Sequence, residues 1–382
     1  MTRLYRASYA TAALLVAFLA GTAAQSQRIQ LVPNEAGRRV DVMIDGKPFT
    51  SYIWPDTLKK PTLFPLRSAS GTVVTRGYPL EPRKGERVDH PHHVGLWLNH
   101  GDVNGLDFWN NSDAIKADQA AKFGTILHRR IVEAKGGKDH GTLVVETEWV
   151  KPDGAALLKE RTEFVFRGDT VSRTIDRITT LTALGERVVF KDNKEAFFGM
   201  RVARGLELPY DKAEVLTDES GNRTPKPVLD NTGVNGQYTS SEGLKGDAVW
   251  GTRGRWMMLT GTVDAKPVTL AILDNPSNPG FPTYWHARGY GLFAANPLGE
   301  KVLTEGKKEL NLTLEPGKST TFRFRVLVLE GTAKGDDIEK AYRAFAPQKN
   351  TDQDKPEKNT DQHRPQKNTD EHKPQKNTDA HR

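Results

Sequence analysis

From Arg28 to Glu330 apolar and polar positions alternate with a period close to two. Phe322, Phe324, Val326 and Val328 share one parity, and Arg323, Arg325, Leu327 and Leu329 the other. Val145, Thr147 and Trp149 alternate with Val144, Glu146 and Glu148, and Thr162, Phe164 and Phe166 with Glu163, Val165 and Arg167. Successive side chains of a strand point to opposite faces, so the pattern predicts half-buried and fully buried strands. Turn signals punctuate them: Asp45-Gly46, Gly136-Gly137, Asp153-Gly154, Gly168-Asp169 and Pro316-Gly317. The clearest local unit is a hairpin from about Leu143 to Phe166. Helical periodicity is scarce; its best example is Asp336 to Phe345, where Ile338, Tyr342 and Phe345 share a face and Asp336 or Asp337 favours the N-terminus. Many strands, Gly/Pro turns and no alternation of strand with helix predict an all-β fold: a large antiparallel β-sandwich with one short C-terminal helix.

The two ends read differently. Arg3 and Arg6 precede an apolar run, Ala10 to Ala20, and a small-residue stretch, Gly21 to Ala24. This is the three-part pattern of a secretory signal peptide over residues 1–24, and the run is too short for a bilayer span of roughly 20 residues. The expectation is a periplasmic or secreted protein with no membrane span after cleavage. From Pro347 the chain repeats a nine-residue unit four times: PQKNTDQDK, PEKNTDQHR, PQKNTDEHK and PQKNTDAHR. Almost nothing in residues 347–382 is apolar, so the segment reads as a disordered tail that buries too little to offset its conformational entropy. Residues 25–346 between the two are expected to form one sandwich domain.

This division changes the meaning of the charge. The formal net charge is +7. The leader contributes two of these positive charges and the tail one, leaving +4 on the core, interspersed with acidic residues. No basic run and no aromatic-basic signature remains, so a nucleic-acid partner is not expected. The 382 residues contain no cysteine. That excludes a disulfide scaffold, a zinc ribbon, an iron–sulfur cluster and a thiol nucleophile.

Candidate chemistry gathers in two segments. In the first, Gly85 to Trp109, four of the ten histidines fall between His90 and His100. Carboxylates stand close by at Glu86, Asp89, Asp102 and Asp107. Pro91 interrupts any ladder, so the stretch is expected to be a loop entering a strand at Val94, with His93, Gly95, Trp97 and Asn99 on one face. Three readings follow. His90 and His92 with a carboxylate hold a divalent metal; a histidine and a carboxylate move protons on a ligand; or the side chains pin a long loop. No zincin spacing is present.

In the second segment, Asp274 to Pro297, a Pro- and Asn-rich loop carries Trp285, His286, Arg288 and Tyr290. A flat apolar face, an imidazole and a fork-shaped donor suit a sugar ring or a carboxylated ligand. A weaker stretch, Lys191 to Arg201, offers Glu195 as a base and Arg201 as an anion-binding group.

Three motifs carry a family resemblance: Glu86 to Trp109, opened by Gly85 (GERVDHPHHVGLWLNHGDVNGLDFW), Lys194 to Arg201 (KEAFFGMR) and Asp274 to Gly299 (DNPSNPGFPTYWHARGYGLFAANPLG). With the strand LTLEPGKSTTFRFRVLVLEG they resemble, in order and over about Ile29 to Phe345, a bacterial family of unknown function labelled "methane oxygenase PmoA". The chain departs from that family at Asn275, where His is common. The membrane enzyme subunit of that name spans the bilayer, which this sequence after its leader does not, so membrane methane oxidation is not implied. The resemblance implies an exported protein, often encoded near sugar-handling oxidoreductases, with a mutarotase-like supersandwich. Proteins of that superfamily bind sugars in a concave sheet lined by His, Glu and Trp, and act on the anomeric carbon or cleave glycans.

Together these readings give an expected site. His90, His92, His93, Glu195, Asp107 and His286 are the candidates for proton transfer. Trp97, Asn99, His100, Asn104, Trp109, Arg201, Trp285, Arg288 and Tyr290 are the candidates for holding a carbohydrate or small polar ligand. No particular cofactor is singled out, though His90 and His92 offer a divalent metal two ligands. The alternatives are a non-catalytic glycan-binding protein and a metal-dependent, oxygenase-type enzyme.

Overall fold

The computed structural model describes residues 28–346; the signal-peptide and tail readings lie outside them. The alternating segments form strands, most of them in two antiparallel eight-stranded sheets. The first, called the site sheet, runs in the order Ile29–Asn34, Arg39–Ile44, Lys47–Ile53, Thr62–Leu63, Leu96–His100, Ala196–Arg201, Leu292–Asn296 and Tyr284–Arg288. The second, the back sheet, runs Gln237–Ser240, Trp256–Val263, Lys266–Asp274, Ser319–Glu330, Ser172–Ala183, Ala156–Gly168, Gly141–Val150 and Thr125–Lys135. The predicted hairpin is present, with Leu143 opposite Phe164.

The period-two pattern decides what each face meets. Phe322 and Phe324 of the back sheet pack on Phe197 and Phe198 of the site sheet, with ring centroids 4.4 and 4.8 Å apart. The inner faces thus share one core. Within it lies a charged pair. Arg177 donates to Glu160 at 2.8 Å, and Glu160 also accepts from Trp149 Nε1 at 2.8 Å and from the Thr162 hydroxyl at 2.7 Å.

The opposite parity of the back sheet is also apolar where the helix Gly335–Phe345 covers it. Leu327, Leu273 and Met258 pack there against Ile338 and Tyr342. On the site sheet the outer face carries a separate small cluster, Trp97, Trp109, Leu292 and Ala294, packed by Tyr290. Among the described residues no helix is long and apolar enough to cross a membrane.

Two boundaries differ from expectation. The first strand of the His-rich segment begins at Leu96 rather than Val94. Tyr284–Arg288, read as loop, is a strand paired with Leu292–Asn296. The turn chemistry of this segment ends at Pro282, and the residues after it are strand formers with free N–H groups for the ladder.

Candidate functional site

Register builds the floor of the site. Gly199 lies opposite both Trp97 and Ala294, and Ala294 lies opposite His286. Directly opposite residues project to the same side of a sheet, so Trp97, Gly199, Ala294 and His286 form one transverse row on the outer face. Arg201, Leu292 and Arg288 form a second row. Gly199 has a packing reason: a Cβ there would stand 3.2 Å from Trp97 Cζ2, 3.2 Å from the Ala294 methyl and 3.3 Å from Trp109 Cη2. The two indoles, 5.4 Å apart at an angle of 62°, therefore rest on a floor of small residues.

The loop before Leu96 lays the histidines over this floor. Arg76, fully buried, fastens the loop by donating to the backbone oxygens of Arg87 (3.2 Å), Asp89 (2.9 Å), His90 (2.8 Å) and His93 (3.1 Å). His90 takes a left-handed φ of 43° at the bend. The result is a four-ring stack. Tyr290 lies on His90 at 5.2 Å and 3°, His90 on His93 at 4.8 Å and 2°, and His93 on Trp97 at 5.1 Å and 18°. His92 meets His93 edge-on at 4.3 Å, and Trp109 meets His286 at 6.4 Å.

Charge is concentrated beneath the stack. Asp89 accepts from Arg76 and Arg201 at 2.7 Å each, and its second oxygen is 2.8 Å from His90 Nδ1. Burial pushes the Asp89 pKa up, but the Arg201 charge, the His90 hydrogen bond and Arg76 outweigh it and hold the carboxyl well below the usual range. An ionised Asp89 fixes His90 with Nδ1–H toward the carboxylate and Nε2 away from it. On the other imidazoles burial is the largest influence: it lowers His92 to about 2 and His286 to about 4, and puts His93 well below its ordinary value. These three rings are neutral near pH 7.

The cluster also holds buried polar atoms with no hydrogen-bond partner: His92 Nε2, His93 Nε2, Trp97 Nε1, Trp109 Nε1, His286 Nδ1, Asn99 Oδ1 and the Nε of Arg76 and Arg201. Native proteins leave few buried polar groups unpaired, and here several fall on rings of one small cluster.

Most of the expected site residues come together here: His90, His92, His93, Trp97, Trp109, Arg201, His286, Arg288 and Tyr290. Asn99 lies beneath them, its amide donating to the Phe108 carbonyl at 2.7 Å. Asp107 caps the turn that presents Trp109, accepting from the backbone N–H of Trp109 (2.8 Å) and Asn110 (2.9 Å); burial raises its pKa. Glu195, bound to Lys194 at 2.9 Å, is close enough for its charge to act on His286 and Tyr290.

Three assignments are corrected. Trp285 has the opposite parity to His286, so it is buried in the core beside Phe293 and offers no stacking face to a ligand. His100 turns inward against Phe190 and Phe197 and bonds the Lys191 carbonyl at 2.8 Å. Asn104 ties two loops together, accepting from Val189 N at 2.8 Å and donating to the Arg187 carbonyl at 2.9 Å.

Sequence reasoning missed Arg76, Trp250 and Lys60. Trp250 is 41% exposed, with the Arg288 guanidinium 5.2 Å above it at the rim. Lys60 is buried beside His92 and Trp97. Isolated in sequence, none carries a local signal. A cavity of about 310 Å³ opens next to the cluster, and His92 is the expected residue that lines it.

For a metal, His90 and His92 lack a third ligand. Among the described residues no group of three or more His, Asp or Glu side chains is placed to hold an ion.

No curated protein matches the chain. Solved structures give distant likenesses. The galactosidase domain of an alpha-galactosidase-sucrose kinase, AgaSK, is 10% identical with a TM-score of 0.37, covering 79% of this chain and 42% of that one. The GH36 alpha-galactosidase AgaB from Geobacillus stearothermophilus is 8% identical at 0.34, covering 80% and 42%. A galactose mutarotase related enzyme from Lactobacillus acidophilus is 10% identical at 0.29, covering 80% and 97%. The chain thus spans about two fifths of the length of the galactosidases it matches. A family model matches residues 39–343, which is most of the sequence, and the chain belongs to the family of unknown function DUF6807.

Proposed function

We propose that the protein binds a carbohydrate or sugar derivative on the outer face of the site sheet, against the stacked rings. The observation that carries this reading is the set of unpartnered ring nitrogens on His92, His93, Trp97, Trp109 and His286. These atoms are covered in the free protein, so the ligand enters by displacing the overlying rings; a polyhydroxylated ring then satisfies both kinds of atom, since each hydroxyl donates to an imidazole nitrogen or accepts from an indole N–H. Neutral histidines suit an uncharged hydroxyl ligand. Tyr290 and Trp250 supply apolar faces, and Arg288, whose guanidinium lies 5.9 Å from the Tyr290 ring centroid, supplies a fork donor.

Within such a site His90 is the group set up to move a proton. Its Nδ1 is held by an ionised Asp89, in the manner of a base oriented by a carboxylate. Glu195 and Asp107 supply the carboxylates for acid–base chemistry. A non-catalytic variant of the reading, in which the pocket holds a glycan for partner enzymes, draws on the neutrality of His92, His93 and His286. The basic-apolar-small pattern of residues 1–24 and the motif resemblance to the PmoA-labelled family support a periplasmic or secreted location.

The test is a thermal-shift screen of neutral monosaccharides, oligosaccharides and uronic acids, with product analysis on every hit. At least one sugar is expected to raise the Tm of the wild type but not of Trp109→Ala. Turnover is expected to vanish in His90→Ala while the shift remains. If no sugar raises the Tm, or if Trp109→Ala responds like wild type, the reading fails.

A further inference from the structure

The cavity beside the ring cluster holds an amine whose surroundings are unlike those of an ordinary surface lysine. Much of its wall is apolar, with Leu58, Leu80, Pro91 and Val94, and Lys60 and His92 stand among its polar lining residues. Lys60 is 6% exposed. Its Nζ donates to the His92 backbone oxygen at 2.7 Å and stands 5.4 Å over the Trp97 ring. Among the described residues no carboxylate lies within ion-pair distance of it. Lys59, on the same cavity, is paired to Asp113 at 2.5 Å.

A buried lysine without a counter-ion is the setting in which proteins make an amine nucleophilic. We propose that Lys60 captures a small polyhydroxy aldehyde or ketone in this cavity as an imine. The Nζ lone pair forms the bond to the carbonyl carbon, and the carbonyl oxygen takes a proton to give a carbinolamine. The C–O bond then breaks, and the oxygen leaves as water carrying both hydrogens of the neutral amine. No oxidant or reductant is consumed. His92 lines the same wall, and its backbone oxygen holds the Lys60 amine in place.

Two quantities support the assignment. Burial lowers the Lys60 pKa to about 7, against a smaller pull upward from Asp107, so about half the amine is neutral at pH 7. The volume, about 310 Å³, is at the small end of ligand sites, which run from roughly 300 to 1,000 Å³. The inference does not depend on sugar binding over the stacked rings, because the capture needs only Lys60 and its cavity.

The experiment uses the full chain, glyceraldehyde as probe and cyanoborohydride to reduce the imine, with peptide mapping of each lysine. Cyanoborohydride delivers a hydride to the iminium carbon and leaves a stable secondary amine. Lys60 is expected to be labelled at least about 10-fold faster than Lys59 at pH 7, because Lys59 is held in an ion pair with Asp113 and Lys60 has no such partner. Its labelling is expected to reach half its maximum near pH 7, and the mass increment at this peptide to disappear in Lys60→Met. The pH profile is measured on the wild type, so the answer survives if the variant folds poorly. Equal rates at Lys59 and Lys60, no label on Lys60, or labelling that rises only above about pH 9 would overturn the proposal whatever the sugar screen returns.

Discussion

Replacing Arg201 with methionine tests whether the charge network under the stack holds the site together. Arg201 is fully buried and gives Asp89 one of its two guanidinium partners, at 2.7 Å. Removing one side of a buried ion pair costs about 3–5 kcal/mol. Asp89 keeps Arg76 and is 27% exposed on its side chain, which brings that share down to about 2–3 kcal/mol. The guanidinium also lies 4.9 Å over the Tyr290 ring, an interaction of about 0.5–1 kcal/mol. The expected total is about 3 kcal/mol, read by urea denaturation as a lower midpoint at an unchanged slope.

The pH dependence sharpens the test. The Asp89 pKa is depressed in the folded protein, so its contribution is complete at neutral pH and is lost as pH falls into and below the ordinary carboxylate range. In Arg201→Met the depression shrinks, so the stability gap between the two proteins narrows on acidification. A loss below about 1 kcal/mol at pH 7, or a gap that widens in acid, refutes the network as described.

Three further outcomes are expected. Arg76→Met unfastens four backbone carbonyls, so amide exchange over residues 87–93 is expected to accelerate at least about 10-fold, the effect of 1.4 kcal/mol in a local opening; unchanged exchange contradicts the clamp. Glu160→Gln strands the buried Arg177 and is expected to cost about 3–5 kcal/mol in denaturant unfolding, with Glu160→Leu/Arg177→Met losing less than either the leucine or the methionine change alone. Asp274 is buried and its pKa is raised to about 7, so the folded state binds its proton more tightly than the unfolded state does. Wild-type stability should therefore fall as pH rises from about 4 through 7, relative to Asp274→Asn, and parallel pH curves for the two proteins would reject the shift.

The architecture was legible because parity is a local signal. Phe322, Phe324, Val326 and Val328 announce an inner face by themselves, and the hairpin around Val150 announces its turn. The site was legible in part, for the same reason. Four histidines close in sequence and the run from Trp285 to Tyr290 mark chemistry, and pairing in the site sheet then brings Trp97 and His286 onto one face. The failure at Trp285 is also one of parity. Once Tyr284–Arg288 is a strand, His286 and Arg288 face one side and Trp285 the other, whereas a loop imposes no such choice. His100 fell to the inner face by the same rule. Arg76 and Lys60 left no trace in the sequence because each acts through backbone atoms or a cavity supplied by other segments, and a single basic residue has no periodicity.

The floor at Gly199 and Ala294 sets the height at which Trp97 and Trp109 lie. Its level is set by how many carbon atoms two strand positions carry, and both lie in paired register on adjacent interior strands, next to the edge strand Tyr284–Arg288. Ladder hydrogen bonds run through the backbone, so a carbon added at Gly199 pushes on both indoles, 3.2–3.3 Å away, while the strands keep their partners. Each methylene buried against a ligand is worth about 0.8 kcal/mol. On the proposed reading, changes at these two positions retune the fit of a bound ring through the indoles above them.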